Sequence, residues 1–336
     1  MKAYLFILTL LFVVVSCENE IPYKANENPS KMVLNALFNA NSKTNPIILS
    51  LTGQNQIGSI KNASVDLYIN GELADRINEP DSILKNKALL FNTDLAVEAG
   101  DKLKMEVKTD DNLYHIWTEE IVPKPTLIEK IDTTIVTENS IWNDLDKFLR
   151  VKTTFSDDGQ TMNYYRIVMD LNLTIATKNP TTNADTTIYR TITQSLSVNE
   201  DIVLTDGHPS AVDDNGLLTP NQNIWGVFDN SRIHGEYTMT TSLRIPYSVF
   251  PYYGINADYT LDKNIKKITT DVIVKLQKIT QTQYLYLKAL NIYDSMDEDN
   301  YFSQPVKFPS NIQGGTGIFG ISISDEATIR LADYIP

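Results

Sequence analysis

The chain has 336 residues, with 29 Lys and Arg against 42 Asp and Glu, for a formal net charge of −13. That balance lacks the basic footprint that nucleic-acid recognition requires, and it disfavours broad contact with anionic lipid. A single cysteine excludes internal disulfides, so stability must come from packed cores, and the length is enough for two.

Residues 1–16 read as a targeting segment. Lys2 supplies a short positive region, and Tyr4 to Val15 is an apolar run broken only at Thr9. At about twelve residues it is shorter than the roughly twenty a spanning helix needs, so a removable export signal fits better than a membrane anchor. The run ends Val14-Val15-Ser16-Cys17, which resembles a bacterial lipobox. In such signals the cysteine thiol receives a diacylglycerol, the leader is cut before it, and the new amino group is acylated. Cys17 is therefore the expected lipidation site. Each buried acyl CH₂ contributes about 0.8 kcal/mol, enough for three chains to hold the N-terminus in a bilayer. Residues 17–30 form a polar tether with Pro22 and Pro29. Glu18, Asn19 and Glu20 resemble the acidic tethers of surface-exposed lipoproteins, so the expected address is the cell surface of an outer membrane.

Short β-type runs follow from residue 31: KMVLNALFN (31–39), IILSLT (47–52), ASVDLYI (63–69), LLFNTDLAV (89–97), KLKMEVK (102–108) and YHIWTEEIV (114–122). Asn70-Gly71 after DLYI is a strong hairpin signal, because both residues accept φ > 0. Val65, Leu67 and Ile69 alternate with Asp66 and Tyr68, which turns one face inward. Six or seven strands over residues 31–125 predict an immunoglobulin-like β-sandwich, closed by the stiff linker VPKP (122–125).

Residues 126–336 predict a larger, β-sandwich-type domain. FLRVKTTFSD (148–157), NYYRIVMDLNLTIAT (163–177), TIYRTITQSLSV (187–198), GEYTMTTSLRI (235–245) and TTDVIVKLQKIT (269–280) alternate with period two. One helix is expected at about 281–295, with Thr280 as N-cap and Gln283 three residues on. Tyr284, Leu287, Leu290 and Tyr293 recur every third residue, and Leu285 and Ala289 are placed on the same side, packed on the sheet. Gly314, Gly315, Gly317 and Gly320 lack the lysine of a phosphate-binding P-loop and are expected to permit a tight turn before IFGISIS enters a sheet.

The order strand, QYLYLKAL helix, FSQPV (302–306), SNIQGGTGIFG (310–320) resembles the DUF4249 family of Bacteroidota outer-membrane lipoproteins. Cys17 with its acids, KMVLNAL, ASVDLY, VEAGDKL and NYYRI agree with that pattern. The resemblance implies no activity, since the family has none assigned. It does imply a place beside a TonB-dependent outer-membrane receptor, whose genes tend to lie near those of family members.

Candidate sites are few. Tyr247, Phe250, Tyr252, Tyr253 and Tyr259 surround Pro251 and Gly254 in a stretch that alternates poorly. As loop residues they offer rings for stacking a ligand or gripping a partner; the alternative is a loop folding its aromatics onto the sandwich. His115, His208 and His234 are scattered, and neither a zinc-protease motif nor a nucleophile elbow occurs, so no metal or cofactor is expected. Asp213-Asp214-Asn215-Gly216 and Asp294, Asp297, Glu298 and Asp299 do not fit a calcium loop and read as solvated. These observations favour a non-enzymatic surface lipoprotein that binds a ligand or partner, as accessory to a transporter. An adhesin or structural surface protein is the alternative, and a hydrolase with an unrecognised carboxylate pair is a third.

Overall fold

In the computed structural model, the described residues are 30–53, 60–139, 145–157, 159–179, 182, 184–194, 201–207, 223–245, 265–294 and 306–331. Alternation sets the first strands. In β1 (Met32–Asn39) Met32, Leu34, Ala36 and Phe38 are buried, and β2 (Asn45–Leu51) buries Ile47 and Leu49. β3 (Ala63–Ile69) turns at Asn70 (φ 53°) and Gly71 (φ 91°) into β4 (Glu72–Ile77), the hairpin expected there. β5 (Ser82–Ile83), β6 (Leu89–Thr93), β7 (Lys102–Thr109) and β8 (His115–Ile121) complete the first set. The second set is β9 (Ile128–Asn139), β10 (Leu145–Asp157), β11 (Tyr164–Lys178), β12 (Asp185–Gln194), β13 (Val227–Asp229), β14 (Gly235–Ile245) and β15 (Ile265–Ile279). Helix α1 (Gln281–Asp294) and β16 (Thr316–Arg330) follow.

These strands make three sheets. The largest runs β12-β11-β15-β16-β1-β2-β6-β5, with β13 also on β11; the others are β4-β3-β7-β8 and β14-β10-β9. Sheet β4-β3-β7-β8 packs on the β1-β2-β6 part of the large sheet around an apolar core that includes Leu34, Phe91, Leu67 and Met105. Sheet β14-β10-β9 packs on the β11-β15 part around Phe155, Tyr165, Phe228, Met239 and Val274. The protein is thus mainly β, and its described residues form two sandwiches with one packed α-helix. The segments either side of residue 125 share the large sheet, because β1 pairs in parallel with residues 316–322 of β16, while residues 322–330 pair with β15.

The glycines of the 310–320 segment allow this sharing. Gly317 has φ +113°, and a Cβ there would sit 2.0 Å from the Leu34 carbonyl oxygen, so only glycine lets β16 lie against β1. Gly320 lets α1 approach the sheet, since its Cβ would meet that of Gln283 at 2.8 Å.

Helix α1 begins where expected, and Thr280 holds the N-cap position. Its carbonyl accepts the Tyr284 N–H at 3.0 Å, but its hydroxyl oxygen accepts from the Ile321 N–H at 3.3 Å, tying the helix start to β16. The buried stripe is Gln283, Tyr284, Leu287 and Ala289. Leu285 and Tyr293 are exposed, against the expectation that they share that face. The reason is geometric: at 100° per residue, three steps of three carry Tyr293 half a turn from Tyr284.

Candidate functional site

Most residues singled out in the sequence lie outside the described residues: Cys17, Tyr247, Phe250, Tyr252, Tyr253 and Tyr259, together with Asp213–Gly216 and Asp297–Asp299. Asp294 is described, and its carboxylate accepts the Trp225 Nε1–H at 2.9 Å. Among the described residues no group of three or more His, Cys, Asp or Glu could hold a metal ion. No described helix is long and apolar enough to cross a membrane.

One concave site among the described residues was not legible in the sequence. A groove of about 740 Å³ opens where the two sandwiches meet, within the range of ligand clefts, about 300–1,000 Å³. One wall is the end of β8 with the linker Val122–Lys124; the other is the loop Thr161–Asn163 with Tyr164, and its end is closed by Lys278 to Gln281. Two large apolar side chains stand open at this groove, Ile121 at 60% exposure and Met162 at 56%. Around them lie Lys102, Lys124 and Lys278. Lys102 pairs with Glu119 at 2.9 Å, and the Lys278 ammonium sits 5.6 Å from the centre of the Tyr165 ring.

Two carboxylates shape the groove from behind. Glu120 continues the inward row of β8 after Ile116 and Thr118. Its Oε1 accepts from the Thr282 hydroxyl at 2.7 Å and the Asn311 amide at 2.9 Å. Burial pushes its pKa up, and these two neutral donors only partly oppose the rise. Asn311 also donates to the Phe319 carbonyl at 2.8 Å and accepts the Phe319 N–H at 3.0 Å, while Gln313 and Trp117 exchange backbone bonds of 3.1 and 2.8 Å. The 310–320 segment is therefore a rivet joining β8, α1 and β16.

Asp157, 5% exposed, holds the opposite wall. It accepts from the Asn230 amide at 2.7 Å, the Asn163 amide and the Gly159 N–H at 2.8 Å, and the Tyr165 hydroxyl. Burial acts to raise its pKa, but the bonds from Tyr165, Asn230, Gly159 and Asn163 outweigh it and hold the carboxyl below its ordinary value. Asn230 in turn donates to the Thr161 carbonyl at 2.8 Å and accepts the Asn163 N–H at 2.9 Å, fixing the loop.

Glu119 and Glu120 are successive residues of one strand, so they point to opposite faces and cannot flank a common bond. Glu119 is ion-paired, and Glu120 and Asp157 are held by donors of the fold itself. The contact of Glu120 with Thr282, across 162 residues, had no local signal at all.

Among solved structures, one similar chain is "Biofilm associated protein - BSP domain", with 10% sequence identity and a TM-score of 0.17. The alignment covers 89% of this chain and 58% of that one. No curated protein matches the sequence. The profile of DUF4249, a domain of unknown function, matches residues 18–328, nearly the whole chain. The protein belongs to the DUF4249 family.

Proposed function

We propose that the protein is a non-enzymatic lipoprotein of the outer membrane, anchored through Cys17 and exposed at the cell surface, which binds a partner or ligand as accessory to a TonB-dependent β-barrel receptor. The observation that carries the binding role is the groove between the sandwiches, where Ile121 and Met162 stay open to solvent beside three lysines in an otherwise acidic chain. Large apolar side chains left exposed in a concave, polar-rimmed site favour contact with another molecule. The lipobox supports the anchor, and the aromatic run Tyr247–Tyr259 is a second candidate contact. The opposed directions of Glu119 and Glu120 weigh against the hydrolase reading for this groove.

Mild detergent extraction followed by affinity purification tests the proposal. The wild-type chain is expected to bring down a stoichiometric β-barrel protein, and Cys17→Ser to leave an uncut or soluble form. Ile121→Asp/Met162→Asp, with an unchanged melting temperature, is expected to lose the partner. Retention of the partner by that variant places the contact outside the groove. Absence of any barrel overturns the transporter role and favours the adhesin reading.

A further inference from the structure

The ends of the sheets are not treated alike. A strand edge offers unpaired N–H and C=O groups and is blunted in most folds by shortness, charge, bulges or a covering segment. β4 is six residues long, carries Glu72, Asp75 and Arg76, and meets β3 through a bulge between Leu67 and Tyr68. β8 is covered at Trp117 by Gln313. In the three-stranded sheet the β14 end is occupied, because Asp201 accepts the Thr240 N–H at 2.8 Å. β9, at the other end, carries charge too, at Glu129, Lys130 and Asp132, and shifts register against β10 at Thr154 and Phe155. It gives the Ile128 N–H to the Asp325 carboxylate at 2.7 Å, so its open stretch begins at Glu129. It runs for twelve residues without proline, and among the described residues no backbone group pairs with its outer edge. Every residue from Glu129 to Ile135 except Ile131 is exposed.

We propose that β9 pairs antiparallel with β9 of a second copy of the chain, about a two-fold axis at Ile131. That centre sets Lys130 opposite Asp132 of the second copy, and Asp132 opposite its Lys130. The two side chains already bond within one chain at 2.6 Å, so the pairing closes a ring of four alternating charges. The same register carries Ile135 (61% exposed) of each copy toward Leu127 (64% exposed), which stands just before the strand of the other. Glu129 meets Thr133, with no like charges opposed. Moving the centre one residue either way sets Lys130 or Asp132 against its own copy, and a half-residue step exchanges the two faces. An isologous contact of this kind closes on itself and continues the three-stranded sheet across both copies.

Sedimentation of the full chain in density-matched detergent, over a range of concentrations, tests the pairing. A two-chain species is expected. Lys130→Asp places four acids at the axis and should weaken the dimer about tenfold or more, while Lys130→Asp/Asp132→Lys should restore it. Hydrogen exchange of the wild-type amides at 129–135 should slow as concentration rises, a reading that depends on no variant folding. A one-chain mass up to about 100 µM, a dimer indifferent to Lys130→Asp, or exchange at β9 unchanged with concentration each overturns the proposal.

Discussion

In the first sandwich the buried carboxylate Asp66 is answered by a full charge. Arg76 donates Nε and Nη2 to its two oxygens at 2.6 and 2.9 Å, and that guanidinium keeps the Asp66 carboxyl below its ordinary range. In the second sandwich Asp157 and Asp201 are buried with only neutral donors: Tyr165, two asparagines and a backbone N–H on one, and Tyr237 with two backbone N–H groups on the other. The first core is closed by apolar packing with its ion pair at the rim, since the Arg76 side chain is 54% exposed. In the second, Asp170 is likewise ion-paired, with Lys275 at 3.0 Å, but Asp157 and Asp201 act as internal fasteners for loops that packing alone would not fix. The difference teaches where each half is vulnerable. A surface pair can be lost to water, whereas an internal fastener leaves several donors stranded.

The largest expected effect breaks the comparison directly. Asp157→Ala should cost about 3–5 kcal/mol, because four donors lose a buried acceptor together. Asp66→Ala should cost only about 1 kcal/mol, since Arg76 turns to solvent. Denaturant midpoints of the two variants measure both; equal losses would remove the distinction. The sign with pH follows from the depressed Asp157 carboxyl. Its contribution is present above the unfolded-state value and is lost as pH falls through the folded one. Wild-type stability should therefore drop below about pH 4, and Asp157→Ala should flatten that drop.

A smaller but shared effect is expected at Gly317, where the two sandwiches meet on β16. Gly317→Ala combines a strained φ with a clash at Leu34, at a cost of about 2–3 kcal/mol. The loss should appear in probes of both halves at once, read as hydrogen exchange in β1 and in β15. Loss confined to one half would mean that the shared strand does not couple them.

The smallest effect has the opposite sign. The Glu120 carboxyl is raised, so its proton-bound form favours the fold, and that contribution is lost as pH rises through the folded value. Glu120→Gln keeps an oxygen for Thr282 and Asn311 without the buried charge. Its melting temperature should exceed the wild type at pH 7 and match it near pH 3. A lower melting temperature at pH 7 would show that the charge itself is needed by those donors.

Much of the strand pattern was readable because burial writes period two into the chain. Met32-Leu34-Ala36-Phe38 and Tyr165-Ile167-Met169-Leu171 announce their strands without help. β9 was not readable, since one edge faces solvent and its residues 132–135 are exposed on both faces, leaving no alternation to find. The helix was found by its period, yet Tyr293 was placed on the wrong side by counting in threes. At the candidate site, the sequence offered the Tyr247–Tyr259 aromatics, while the groove rests on Ile121 and Met162, two ordinary residues that only meet after folding.

By itself, the sequence determined the β class, the position of the helix and the Asn70-Gly71 hairpin, because each depends on neighbours within a few residues. Tertiary structure alone decided that β1 and β16 join two sandwiches through one sheet, that Glu120 reaches Thr282 and Asn311, and that Asp157 gathers Asn163, Tyr165 and Asn230. Those contacts depend on which strands become neighbours, a choice made by the summed burial of two cores rather than by any local run of residues.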